Sequence, residues 1–147
     1  MTPLDDDELA TWRAFLNAHA HITRRISRDL AEAGLPDLGW YDLLWALQRR
    51  PDRRLRVNEL AREVVLSPTA MSRFVDRVEA AGCVRREPDP ADRRALQVVL
   101  TAEGTAVLRR MWPVYRRGIE RHFAEFLGRS GPRMRAMLER MADSARS

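Results

Sequence analysis

The sequence predicts a mainly α-helical chain carrying one small β element, and three observations lead there. Apolar residues recur at three- and four-residue steps near both ends of the chain, the period of a helix with one buried face. Ser67-Pro68 is a capping residue followed by a proline, the usual opening of a helix. Two five-residue stretches, 83–87 and 96–100, are short enough for strands and enclose a segment too rich in turn residues for helix.

In order, Leu9, Trp12, Leu16, His19, Ile22, Ile26 and Leu30 define a long first helix behind Asp5, Asp6, Asp7 and Glu8, whose charges suit a helix N-terminus. It ends near Gly34. After a connector at 35–39, Trp40, Leu43, Leu44 and Leu47 carry a second helix that Pro51 stops, with Arg49 and Arg50 at its C-terminus. Leu55-Arg56-Val57 reads as a short strand, and Leu60, Ala61, Val64 and Val65 as a short third helix. The fourth runs from Pro68 to Ala81 with Ala70, Phe74, Val78 and Ala81 along its core face. The stretches at 83–87 and 96–100 then form a two-stranded hairpin with a charged tip. Thr101 caps a fifth helix that continues to Leu127 and is kinked by Pro113. Beyond the break at 128–132, Met134, Met137, Leu138 and Met141 mark a final amphipathic helix.

Composition narrows the function. The chain has 147 residues, 45% hydrophobic and 32% charged, enough for a moderate core and against disorder. Its net charge is +5 and all 26 basic residues are arginine, the side chain that best makes forked contacts with phosphate or guanine. One cysteine, Cys83, excludes an intramolecular disulfide and leaves no cysteine pair for a metal. The acidic N-terminus is unlike a signal peptide, and no stretch is long enough to span a bilayer, so a cytoplasmic location without membrane contact is expected.

Two short helices joined through Val65-Leu66-Ser67, with a hairpin following, match a helix-turn-helix with an added wing. With the core face of the fourth helix set, Thr69, Ser72, Arg73, Asp76 and Arg77 face solvent. Ser67, Thr69, Ser72 and Arg73, at its N-terminal end, are placed to meet base edges in a major groove of double-stranded DNA, and Arg77 to meet phosphate. At the hairpin tip Arg93 and Arg94 suit a minor groove, with Asp92 orienting one of them. Residues 52–100 hold ten arginines against eight acids, so the case rests on position and not on bulk charge.

The segments Leu60-Ala61-Arg-Glu-Val, Leu66-Ser67-Pro-Thr-Ala-Met-Ser-Arg73-Phe-Val-Asp76-Arg77, Asp89-Pro-Ala-Asp92-Arg93-Arg94 and Val98-Val-Leu100-Thr101-Ala-Glu-Gly104 resemble the signature of the multiple-antibiotic-resistance regulator (MarR) family. The resemblance is close from Val57 to Gly104. It implies a homodimeric transcriptional regulator, most simply a repressor on a pseudo-palindromic operator. The dimerisation region would be residues 1–34 and 102–147, and the winged helix-turn-helix DNA-binding region residues 35–101. The apolar residues Trp12, Phe15, Trp112, Phe123 and the Met134 to Met141 row support a shared lobe, being more than a small winged lobe covers alone.

The resemblance also implies a small-molecule effector in a pocket bordered by the first, second and fifth helices, where Trp40, Tyr41, Trp45 and Trp112 suit an aromatic ligand. Cys83 reads as a small buried hydrophobe. His19 and His21 point to different sides of a helix, and with His122 they form no metal-binding cluster, so neither metal nor cofactor is expected. There is no glycine-rich phosphate loop, nucleophile elbow or histidine-centred triad, which argues against an enzyme. The competing reading is a winged-helix adaptor that binds protein instead of DNA. Arg73 and Arg77 with Arg93 and Arg94, a helix pair and a loop pair, favour DNA.

Overall fold

The computed structural model describes residues 2–64, 66 and 68–146. The elements are α1 (Asp6–Glu32), α2 (Leu38–Gln48), β1 (Arg54–Arg56), α3 (Val57–Val64), α4 (Pro68–Ala80), β2 (Val84–Pro88), β3 (Leu96–Leu100) and α5 (Ala102–Ile119). A π-helical turn (Glu120–Ala124), a short α6 (Glu125–Leu127), a 3-10 turn (Gly128–Ser130) and α7 (Gly131–Arg146) complete the chain. The protein is thus mainly helical with a small antiparallel sheet, as expected. Among the described residues no helix is long and apolar enough to cross a membrane.

The chain forms two compact units, residues 27–115 and residues 1–26 with 116–147, so α1 and α5 each contribute to both. In the first unit the sheet has the order β1-β3-β2, with Leu55 opposite Val98 on one side and Arg86 opposite Val98 on the other. The expected hairpin is therefore two strands of a three-stranded sheet. The early strand sits one residue before its expected place, because Val57 already starts α3. Leu55, Val84, Val98 and Leu100 share one side of this sheet and form a core with Leu43, Leu44 and Leu47 of α2 and Leu60 of α3, all buried.

Turn chemistry fixes the element ends. Asp37 caps α2 through the Gly39 N–H (3.1 Å), and the Leu38 N–H donates to the Ser27 hydroxyl (3.3 Å). Thr101 does double duty: its Oγ1 accepts from the Gly104 N–H (3.1 Å), capping α5, and donates to the Gly82 carbonyl (2.6 Å), fastening α5 to the turn before β2. A methyl group at Gly104 would lie 2.2 Å from the Cys83 carbonyl oxygen, so only glycine permits this approach. Cys83 is buried, as read, and burial pushes its thiol pKa up, with the Glu103 charge adding to the effect.

α4 departs from its expected core face. Met71, Val75 and Val78 are fully buried and Phe74 half-buried, whereas Ala70 and Ala81 are exposed. The i, i+4, i+7 stripe of larger residues wins because each buries more apolar area than alanine. The polar set survives this rotation: Thr69, Ser72, Arg73, Asp76 and Arg77 are all exposed.

In the second unit, α1 opens with a reciprocal capping box, Asp5 Oδ1 accepting from the Glu8 N–H (2.7 Å) and Glu8 Oε2 from the Asp5 N–H (3.0 Å). A Cβ at Gly118 would meet Ile26 Cγ1 at 2.5 Å, so α1 and α5 touch closely there. Large apolar side chains remain open within this unit, including Trp12 (55% exposed), Phe15, Phe126 (82%) and Met141 (62%). The expected unbroken fifth helix to Leu127 is interrupted by the π-helical turn from Glu120, which apolar spacing alone does not reveal.

Candidate nucleic-acid interface

α4 builds the first half of the site. Thr69, Ala70, Arg73, Phe74 and Arg77 line a shallow groove on its outer side. The Arg77 guanidinium lies over the Phe74 ring, 5.1 Å from its centroid, and Trp40 of α2 packs on Phe74 at 6.4 Å. Gly39 lies beside the same ring, which a Cβ there would meet at 3.5 Å, an ordinary van der Waals contact. The Arg73 guanidinium has no hydrogen bond or ion pair among the described residues. Ser67, assigned as cap and base contact, lies outside the described residues.

Acidic residues beside this face are neutralised by an arginine that the sequence reading passed over. Arg86 of β2 is largely covered, with 17% of its side chain exposed, and pairs with Asp76 (2.8 Å) and Glu79 (2.8 Å) while donating to the Ser72 carbonyl (3.0 Å). Glu79 also accepts from the Arg86 backbone N–H (2.8 Å). The pairing ties α4 to β2 and offsets two negative charges that would otherwise face an approaching polyanion.

The wing tip is the second half. Asp89, 5% exposed, accepts from Arg56 Nε (2.6 Å) and from the Ala91 N–H (2.8 Å). Hydrogen bonding from Ala91, then the Arg56 guanidinium, holds its carboxyl below the usual carboxylate range. Asp89 N–H to the Ala95 carbonyl (3.0 Å) and Ala95 N–H to the Asp92 carbonyl (3.0 Å) close the loop. Asp92 was expected to orient an arginine side chain; its Oδ1 instead accepts from the Arg94 backbone N–H (3.0 Å), shaping the turn as aspartates commonly do. The Arg93 and Arg94 side chains are exposed and, among the described residues, make no hydrogen bond or ion pair. Asp89 and Arg56 were missed as positioning residues, although an aspartate directly before Pro90 is a turn signature.

The aromatic residues divide. Tyr41 stacks with Trp45 (6.4 Å) and Trp112 (6.1 Å), and its ring meets Tyr115 edge-on at 4.8 Å. Trp40 does not join them; one residue along α2 from Tyr41, it turns to Phe74 instead. Tyr115, three residues after Trp112 on α5, was missed. Burial pushes up the pKa of the Tyr41 and Tyr115 hydroxyls and of the neighbouring Asp42 carboxyl. Among the described residues no group of three or more His, Cys, Asp or Glu could hold a metal ion.

A helix pair whose second member exposes Arg73 and Arg77 on its free face, followed by a wing exposing Arg93 and Arg94, defines a winged helix-turn-helix protein. The model of the MarR family matches residues 33–95. AbsC, a MarR family transcriptional regulator from Streptomyces coelicolor, is 30% identical and superposes with a TM-score of 0.89 over 99% of both chains. Sco3205, a second such regulator from that organism, solved in complex with DNA, is 31% identical, with a TM-score of 0.87 over 99% of this chain and 91% of its own. Rv2887 of Mycobacterium tuberculosis, solved in complex with p-aminosalicylic acid, is 28% identical, with a TM-score of 0.65 over 88% of this chain and 96% of its own. The chain belongs to the MarR family: it is a transcriptional regulator and not an enzyme.

Proposed function

We propose that the protein is a cytoplasmic repressor that binds a pseudo-palindromic operator as a homodimer. α4 enters the major groove, where Ser67, Thr69, Ser72 and Arg73 meet base edges and Arg77 meets phosphate. Arg93 and Arg94 reach the flanking minor groove. One observation carries the reading: guanidiniums at Arg73, Arg93 and Arg94 stand exposed without an internal partner among the described residues, while Asp76, Glu79 and Asp89 nearby are each held by an arginine. The DNA complex of Sco3205 supports the same partner.

The uncovered apolar side chains of residues 1–26 and 116–147 support a dimer built from that part of the chain, with 35–101 contacting DNA. Two recognition helices then read half-sites about 10 base pairs, or roughly 34 Å, apart. Tyr41, Trp45 and Trp112 form the effector site, and Trp40 belongs to the support of Phe74. The p-aminosalicylic acid complex of Rv2887 supports a small aromatic ligand.

Selection of bound fragments from random genomic DNA, followed by titration over a salt series, tests the reading. A recovered inverted repeat with affinity falling steeply with salt is expected. Failure to bind any DNA at low salt would overturn it in favour of a protein-binding adaptor.

A further inference from the structure

We infer that the aromatic cluster of α2 and α5 takes an organic cation, an arylammonium or a planar aromatic cation, in preference to a neutral or acidic aromatic molecule. This deepens the effector reading above, and it rests on that reading only for the link to DNA release.

The rings carry the first part of the argument. Tyr41 is central, with Trp45 and Trp112 stacked on it at 6.4 and 6.1 Å and Tyr115 edge-on to both Tyr41 (4.8 Å) and Trp112 (5.9 Å). Trp45 and Trp112 are 48% and 43% exposed, so ring surface is left open to a ligand. Aromatic faces bear the negative end of the ring quadrupole and attract cations, tryptophan most strongly.

The charge beside the rings carries the second. Asp42 follows Tyr41 directly and is exposed, although its surroundings desolvate the carboxyl enough to raise its pKa, and its charge is felt by the hydroxyls of both Tyr41 and Tyr115. In a chain with 26 arginines, Glu63, Glu79, Glu87 and Asp89 each have an arginine partner, yet Asp42 has no hydrogen bond or ion pair among the described residues. On α5, Arg110 is turned toward Glu103 (3.6 Å). A carboxylate ligand laid on these rings would face Asp42 and the ring faces together, both repulsive. An ammonium group would be attracted by both. The tyrosine hydroxyls, pushed up by burial, stay protonated and add no charge.

Three para-substituted phenols of different charge, the first two isosteric, test this on the full-length protein by calorimetry: (4-hydroxyphenyl)trimethylammonium, 4-tert-butylphenol and 4-hydroxybenzoate. The cation should bind at least tenfold tighter than the neutral phenol, and the acid weakest. Asp42→Asn should abolish most of that preference and Asp42→Glu restore it, while affinity for 4-tert-butylphenol stays within twofold. Trp45→Leu should weaken the cation severalfold. If a variant does not fold, the charge series on the unaltered protein decides alone. Equal or tighter binding of the phenol or the acid, no binding of any of the three, or an unchanged preference in Asp42→Asn overturns the inference. The two readings separate in a DNA-release assay. Release by 4-hydroxybenzoate alone keeps the effector role and removes the cation, whereas tight cation binding without release keeps the site chemistry and removes the effector role.

Discussion

Phe74→Leu isolates what the ring beneath Arg77 does for DNA binding. Phe74 is half-buried between Trp40 and the Arg77 guanidinium, so trimming it to leucine keeps an apolar side chain at the same helix position and should cost only about 1 kcal/mol of stability. What is lost is the platform that holds Arg77 extended. A cation over an aromatic face at a partly exposed site is worth about 0.5–1 kcal/mol, which corresponds to a two- to fivefold loss of operator affinity, roughly, if Arg77 keeps that posture on DNA. Fluorescence anisotropy with the wild type, Phe74→Leu, Arg77→Ala and the double variant completes a cycle. The ring should matter only while Arg77 is present, giving a coupling of about 0.5–1 kcal/mol. Arg77→Ala should also lower the salt slope by about 1. If the two effects simply add, Arg77 leaves the ring to bind, and the positioning role of Phe74 is refuted.

Arg73→Ala should cost about 1–3 kcal/mol of operator binding and relax base preference at one position, which binding to a substituted operator set would register; uniform weakening on all sequences would make it a phosphate contact. Arg94→Ala should weaken binding without shifting the melting temperature, and unchanged affinity would remove the wing from the mechanism. Gly104→Ala, forced against the Cys83 carbonyl, should destabilise by about 1–3 kcal/mol and lower the melting temperature by roughly 4–12 °C, since backbone cannot rotate away. Asp89 and Glu87 are both held below their ordinary carboxyl range, Asp89 chiefly by the Ala91 N–H and Glu87 chiefly by Arg85. Their contribution is therefore fully present above the unfolded values near pH 4, and is lost as pH falls below them through the folded values. Amide exchange in β2 and β3 should accelerate relative to α2 over that acid range, and a constant ratio would contradict the assignment.

Helices were legible in the sequence where caps and period agreed. Thr101 was read as a cap and is one, and the acids read as suiting the start of the first helix include Asp5 and Glu8, which cap it reciprocally; Asp37, inside the stretch read as a connector, caps α2 and was not picked out. Phase was less legible than existence. On α4 the choice between Ala70 and Met71 turns on which side meets α3 and β2, and a helical period alone leaves that angle open by one residue, about 100°. The pairing of β1 with β3 joins residues more than forty positions apart, so nothing local announces it. The π-helical turn at Glu120 likewise carries no residue signature that a helical period would reveal.

For the interface, the outward arginines were legible because a helix that buries one stripe must expose the other. What the sequence hid was the fate of the acids. Counted by formal charge, the eight acids of residues 52–100, Asp76, Glu79, Glu87 and Asp89 among them, nearly cancel the ten arginines, and the surface looks electrostatically indifferent. Their ion pairs change that count: Arg86 answers Asp76 and Glu79, Arg56 answers Asp89, and Arg54 and Arg85 answer Glu87. Arg86, Arg56 and Arg54 each tie a strand to another element through these acids, and the arginines left without a hydrogen bond or ion pair among the described residues include Arg73 and Arg77 on α4 and Arg93 and Arg94 at the wing tip, with Arg53 and Arg62 outside the two. The field presented outward is thus set by which arginines lack an internal partner, and removing the charge at Arg86 should weaken DNA binding by uncovering Asp76 and Glu79 even though Arg86 itself is largely covered. An Arg86→Met variant that stays folded and binds DNA as tightly as the wild type would disprove that neutralisation matters.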